Sequence, residues 1–258
     1  MFQFRSTWPR RRSATRGPAG GRDVAEERSY EIQGRRVRLP VEVRRAWSAS
    51  ALYAVPAAAV EPLLPGDAFA PLDVGGGQTQ CVITLVDYQD NDLDRYREIG
   101  IVFFVHPRGA GPSEAGTYIW KLPVDQSFTC EAGRAIWGFP KSVERIDYEE
   151  TAERVRGTLW MDGRRVLELA LPRGGTPTAD GTTSGFTYTT IHGAPHRTPM
   201  TTGGPAVLNP AGEPPALALG DHPIADALRG LGLPKAPALV TWVPHMRGHF
   251  GAPEKLAL

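Results

Sequence analysis

From about Tyr30 onward, apolar and β-branched residues fall in short runs that alternate with polar positions and stop at Gly, Pro, Asn or Asp. This period-two pattern is that of strands with one buried face. It predicts strands over residues 35–43, 47–55, 78–87, 99–106, 117–123, 143–150, 154–160, 165–171, 185–191 and 238–250, with Met161-Asp-Gly-Arg-Arg165 as a hairpin turn. Helices are few. Residues 56–63 offer a proline at a helix start, 125–136 end before Gly138 and Pro140, and 223–231 follow Asp221 as a possible cap. Residues 172–215 are rich in Gly, Pro and Thr and read as long loops that cover a site. The strand spacing predicts an α+β chain dominated by antiparallel β structure, an antiparallel barrel or sandwich with a few short helices.

Composition sharpens this only slightly. The 258 residues include 29 Gly and 24 Pro, which favours turns over a helix bundle. Net charge is +1, yet Arg5, Arg10, Arg11, Arg12, Arg16, Arg22 and Arg28 crowd the start of the chain against Asp23, Glu26 and Glu27. Without periodicity or interleaved aromatics, residues 1–28 read as a solvated, disordered extension and not as a nucleic-acid binder, leaving 29–258 as one domain. No apolar run is long enough to span a bilayer, and no apolar segment follows the early arginines as an export signal would require. Cys81 and Cys130 lie in apolar runs without metal-ligand spacing, as buried thiols of a reducing compartment do. A cytoplasmic, soluble protein is expected.

The chemistry concentrates in Glu131-Ala-Gly-Arg-Ala-Ile-Trp-Gly-Phe-Pro-Lys141. Lys141 follows Ile136, Trp137, Phe139 and Pro140, so its stem leaves an apolar, aromatic neighbourhood. Burial of that kind lowers a lysine pKa by roughly 3–5 units and frees the amine to attack a carbonyl. The bland alternative is a lysine that snorkels to water.

The segment resembles the acetoacetate decarboxylase family, in which a Gly-Arg-Glu segment leads into an aromatic, a proline and the Schiff-base lysine. Gly133-Arg134 and Phe139-Pro140-Lys141 carry the match, with Ala135 where the family often has Glu and Ser142 in place of a second lysine. The resemblance extends from about residue 40 to 252, through Tyr118 to Arg134 and the Leu217-Ala-Leu-Gly-Asp-His222 segment. It implies a closed or cone-like β-barrel, a Schiff base on Lys141, a small keto-acid substrate, no cofactor and a homo-oligomer. Without the adjacent cation, desolvation by Trp137 and Phe139 is expected to carry the activation of Lys141, and both residues are candidates for the substrate-binding wall.

Glu98, in Tyr96-Arg-Glu-Ile-Gly100, resembles the carboxylate of the family's Tyr-x-Glu segment. Alternation places it on one face with Gly100, Val102 and Phe104, inside the barrel if that face is the interior. An arginine is then expected to hold the substrate carboxylate. Arg44 and Arg45 compete, and Arg45 shares the more apolar face with Val41, Val43 and Trp47.

The pairs His192/His196 and His245/His249 suggest a metal only on a helix, which neither segment favours, so no metal is expected. No G-x-S-x-G or G-x-G-x-x-G occurs. The leading expectation is decarboxylation of a β-keto acid such as acetoacetate by Lys141, Glu98 and Arg45. The alternatives are aldol condensation and dehydration through an enamine of pyruvate, and a non-catalytic barrel that binds a small acid.

Overall fold

The computed structural model describes residues 28–257, so the extension expected over residues 1–28 lies outside the described residues except for Arg28. Strands β1 (Ser29–Ile32) and β2 (Arg35–Arg38) form a hairpin. They precede β3 (Val41–Pro56), a single 16-residue strand where two were expected. Its ladder shifts register between Val43 and Arg45 and again between Arg45 and Ala46. A bulge of this kind bends a strand and resets its alternation without ending it.

The helix predicted over 56–63 shrinks to α1 (Ala57–Val60) and a 3-10 turn at Glu61–Leu63. After β4 (Phe69–Pro71), strands β5 (Gln78–Asn91), β6 (Tyr96–Pro107) and β7 (Gly116–Val124) run antiparallel, each containing a predicted segment and extending it. Helix α2 (Ser127–Trp137) leads to β8 (Lys141–Val143), which lies parallel to β7. The strand expected over 143–150 is thus split. The chain leaves one sheet after Val143 and enters another at β9 (Arg145–Glu150), followed by β10 (Arg154–Met161) and β11 (Arg164–Pro172). Between β10 and β11 the Asp162-Gly163 turn has both φ angles positive, the mirror-image turn that matches strand twist.

The strand expected over 185–191 is β12 (Thr182–Ile191), and the region otherwise expected to be loop also contains β13 (Ala194–Gly203), antiparallel to β12, and then β14 (Val207–Leu208). After β15 (Ala216–Leu219) comes α3 (Pro223–Gly230), whose cap is the His222 ring accepting from the Ile224 N–H at 3.1 Å, and not Asp221. Strands β16 (Leu239–Phe250) and β17 (Glu254–Lys255) complete the described chain.

Seven strands, in the order β16, β3, β5, β6, β7, β12 and β13, close on themselves through a β13–β16 pairing. All their ladders are antiparallel except β7–β12, which is parallel through Thr117↔Thr187 and Tyr118↔Tyr188. The result is a closed barrel with added strands and short helices. A four-stranded antiparallel sheet, β15-β11-β10-β9, covers its outer face. The alternation on each strand shows why. Ala49, Ala51, Ile83, Leu85, Ile99 and Ile101 are fully buried in the core shared with Val155, Leu159 and Leu169 of the covering sheet. The opposite faces of β3, β5 and β6 turn into the barrel and leave it hollow. No helix among the described residues is long and apolar enough to cross a membrane.

Candidate active site

The hollow is a cavity of about 290 Å³, and Lys141, Glu98, Trp137 and Phe139 all line it. Lys141 opens β8 and enters the barrel from one side. Its placement depends on α2, which begins where the Gln126 side chain accepts from the Thr129 N–H at 2.6 Å. The helix ends at Gly138, whose φ of 65° suits glycine. The Trp137 carbonyl accepts from the buried Thr189 hydroxyl of β12 at 2.7 Å, so the helix end is tied to the barrel wall. Gly133 carries a further requirement. A Cβ there would lie 2.7 Å from Cδ of Lys141 and 2.9 Å from its Cε, so the lysine stem crosses α2 where the helix has no side chain. This contact gives the Gly133 to Lys141 spacing a physical meaning.

Lys141 Nζ lies 3.0 Å from a carboxylate oxygen of Glu98, with side-chain exposures of 3% and 8%. It also donates to the Thr129 hydroxyl at 3.0 Å and sits 4.6 Å from the centre of the Tyr96 ring. The Tyr88 hydroxyl donates to the other Glu98 oxygen at 3.4 Å, and Tyr88 stacks on Tyr96 with centroids 4.4 Å apart. From outside the barrel, the Tyr148 hydroxyl of β9 donates to the Glu98 carbonyl at 2.6 Å and accepts from the Val86 N–H at 3.1 Å, fixing the backbone beneath the carboxylate.

Electrostatics here correct one expectation. Desolvation pulls the Lys141 pKa down, but the charge of Glu98, the Tyr96 hydroxyl and their hydrogen bonds to Nζ more than offset it, and the net shift is upward. The amine at rest is an ammonium held by Glu98, not the free base that an apolar pocket alone would favour. Burial pushes Tyr96 up to about 12 and Tyr88 well above its usual value, so both enter the site as neutral hydroxyls.

Trp137 and Phe139 stack with centroids 5.3 Å apart, and Phe250 of β16 joins them at 6.0 and 6.4 Å. The Trp137 indole N–H donates to the Gly251 carbonyl at 2.8 Å, which orients this aromatic wall.

Arg45 does not enter the cavity. It is exposed, as is Arg44, which instead pairs with Asp90 and Asp92 at 2.9 and 2.6 Å. The reason is the bulge: with the register reset on either side of Arg45, consecutive residues Arg44 and Arg45 both face outward, and strict alternation fails there. Among the described residues, the cationic lining of the cavity is Lys141 and, at the exposed rim, Arg247, which pairs with Asp180 at 2.5 Å. Ala135 is exposed on α2, and Ser142 lies outside the cavity lining, so neither departure from the motif reaches the amine. Sequence reasoning overlooked Tyr96, Tyr88 and Thr129. Tyr96 was legible, because it stands two residues before Glu98 and shares its face. Cys81 and Cys130 are buried free thiols, and no group of three or more His, Cys, Asp or Glu that could hold a metal occurs among the described residues.

Comparison with known proteins agrees with this fold. A sequence model of the acetoacetate decarboxylase family matches residues 38–201. Among solved structures, the chain is similar to acetoacetate decarboxylase from Legionella pneumophila, with a TM-score of 0.62, 15% identity and coverage of 84% of this chain and 87% of that one. It is also similar to the enduracididine biosynthesis enzyme MppR complexed with pyruvate, with a TM-score of 0.56, 18% identity and coverage of 84% and 90%. An acetoacetate decarboxylase-like enzyme from Sphingomonas wittichii gives a TM-score of 0.53 at 17% identity, with coverage of 84% and 93%. No curated protein sequence matches the chain.

Proposed function

We propose that this chain, which belongs to the acetoacetate decarboxylase family, is a Schiff-base enzyme that decarboxylates a small β-keto acid, with Lys141 as its amine. The observation that carries the reading is the Lys141–Glu98 pair, 3.0 Å apart and almost fully buried at the wall of a largely apolar cavity.

Glu98 accepts a proton from the Lys141 ammonium, and the free Nζ adds to the substrate ketone. Loss of water leaves a protonated imine. The bond between the α-carbon and the carboxylate then breaks, its electron pair moves through the carbon framework onto the imine nitrogen, and carbon dioxide departs. Protonation of the resulting enamine carbon and addition of water release the ketone and restore Lys141. Tyr96 and Thr129 hold Nζ in place during the cycle.

Decarboxylation suits the cavity better than aldol chemistry on pyruvate. A retained carboxylate needs a lasting cationic partner, and beyond Lys141 the described candidates in the lining are the exposed residues Arg247, already engaged by Asp180, and His249. Loss of carbon dioxide instead exchanges a charged group for a neutral one, which apolar walls accept. The same cavity supports a small-molecule partner.

The test is borohydride reduction in the presence of acetoacetate and, separately, pyruvate, followed by intact mass and peptide mapping. The expected result is one reduced adduct, on Lys141, with acetoacetate. Adducts confined to other lysines, or none with any keto acid, would overturn the reading and leave a non-catalytic acid-binding barrel in its place.

A further inference from the structure

The cavity does not stop at the amine. Strand register divides it into layers: Ser48, Val86 and Glu98 lie side by side across β3, β5 and β6, and Ser50, Thr84 and Gly100 form the next layer inward. Val82 and Val102 follow, with Ile119 opposite Val102. From Glu98 to Val102 the strand advances about 13 Å at ~3.3 Å per residue. A four-carbon keto acid bound at Lys141 leaves most of that depth unfilled.

Small residues create the space. Ser50, Thr84 and Gly100 occupy one layer, and a Cβ at Gly100 would stand 2.8 Å from Cγ2 of Thr84. The chamber is mostly apolar, and the polar groups along it are uncharged hydroxyls. Ser50 donates to Thr84 at 2.9 Å, and the hydroxyls of Thr117 and Thr187 lie 2.9 Å apart farther along. The Ser48 hydroxyl differs from these. Ser48 lines the cavity at the level of Glu98, and its side chain has no hydrogen-bond partner among the described residues. Its hydroxyl faces the cavity, where a ligand oxygen would find a hydrogen-bonding group that no protein side chain occupies.

We propose that the chamber beyond Lys141 is a specificity pocket for the far arm of the substrate. That arm is a neutral chain bearing a hydroxyl or carbonyl oxygen near the ketone, which bonds to Ser48, and ending in alkyl carbon against Val82, Val102 and Ile119. The preferred substrates are therefore extended, neutral-tailed β-keto acids, and a second carboxylate at the far end is rejected because no described cation lies there to receive it. This rests on Lys141 forming the imine.

The experiment compares four probes with the intact protein: acetoacetate, its homologue lengthened by a butyl group at the methyl end, that homologue with a hydroxyl two carbons beyond the ketone, and a homologue of equal length ending in a carboxylate. Carbon dioxide release gives kcat/KM, and borohydride trapping at Lys141 reports imine formation independently. The lengthened neutral homologue is expected to exceed acetoacetate by about tenfold or more, since each buried methylene contributes severalfold. The hydroxylated probe should exceed the plain one, and Ser48→Ala should narrow the ratio between those two. Acetoacetate as the best substrate, or the carboxylate-ended probe matching the neutral ones, would overturn the pocket while trapping still supports the imine. No trapping with any probe would instead overturn the Schiff-base reading itself.

Discussion

Glu98 stands between Lys141 and its reactivity, 3.0 Å from Nζ, as both the group that keeps the amine charged and the nearest acceptor for its proton. Glu98→Gln removes the largest influence that raises the lysine pKa and leaves burial, which lowers it. The pH at which borohydride-trappable adduct appears should move down, while turnover falls by about a hundredfold or more for want of a proton acceptor. Rates of trapping and of carbon dioxide release across pH, measured on both proteins, check this. A midpoint that stays put would show that Glu98 does not control the ionisation of Lys141.

The same pair links stability to pH. The folded lysine pKa is raised, so the stabilisation from the pair is complete below the ordinary lysine value and is lost as pH climbs through the raised one. Wild type should therefore lose more Tm than Glu98→Gln on going from neutral to strongly alkaline solution. Scanning calorimetry at several pH values tests the difference between the two slopes.

Gly133→Ala puts a methyl where the lysine stem runs. The substitution brings about 1 kcal/mol of helix propensity, set against about 1–3 kcal/mol of overpacking, so Tm should fall by only a few degrees. Trapping at Lys141 should slow by tenfold or more, because a displaced Nζ loses its alignment. A variant with full trapping activity would show that the stem can take another route.

Gly138→Ala should act in the reverse proportion. With φ at 65° and a Cβ that would meet the Thr190 carbonyl at 2.7 Å, the cost falls on the fold. We expect a loss of about 2–3 kcal/mol and a Tm lower by roughly 5–10 °C, measured by thermal unfolding.

Arg45→Ala is expected to be nearly silent. The side chain is exposed and lies outside the cavity, so KM for a keto acid should stay within about twofold and stability within about 0.5 kcal/mol. A KM raised tenfold would return Arg45 to the role of carboxylate anchor.

These contrasts mark what the sequence discloses. Periodicity found the barrel strands, because β5 from Val82 to Tyr88 and β6 from Tyr96 to Val102 alternate between a core face and a cavity face, and it placed Glu98 on the cavity face for that reason. It misplaced Arg45 because a bulge resets alternation and leaves no compositional mark. It missed β13, whose Pro195, Pro199 and threonines read as loop, although His192-Gly193 with both φ angles positive makes a tight hairpin turn. The Lys141 pKa was misjudged because apolar neighbours are visible in sequence, whereas a carboxylate 43 positions away is not until the strands are paired.

The wall strand β7 has its outer edge shared by two partners, β12 along Thr117 and Tyr118 and β8 along Leu122 to Val124. Strands β3, β5 and β6 are locked by long ladders on both sides, but Lys141 belongs to a three-residue insert that fills the gap where β12 diverges. Its position is set by one short pairing, one helix and the Thr189–Trp137 tie. The reactive group can therefore be repositioned by changes in α2 and its ends while the container keeps its shape. The cavity wall formed by β3, β5 and β6 and the placement of the amine by α2 and β8 are separable by mutation.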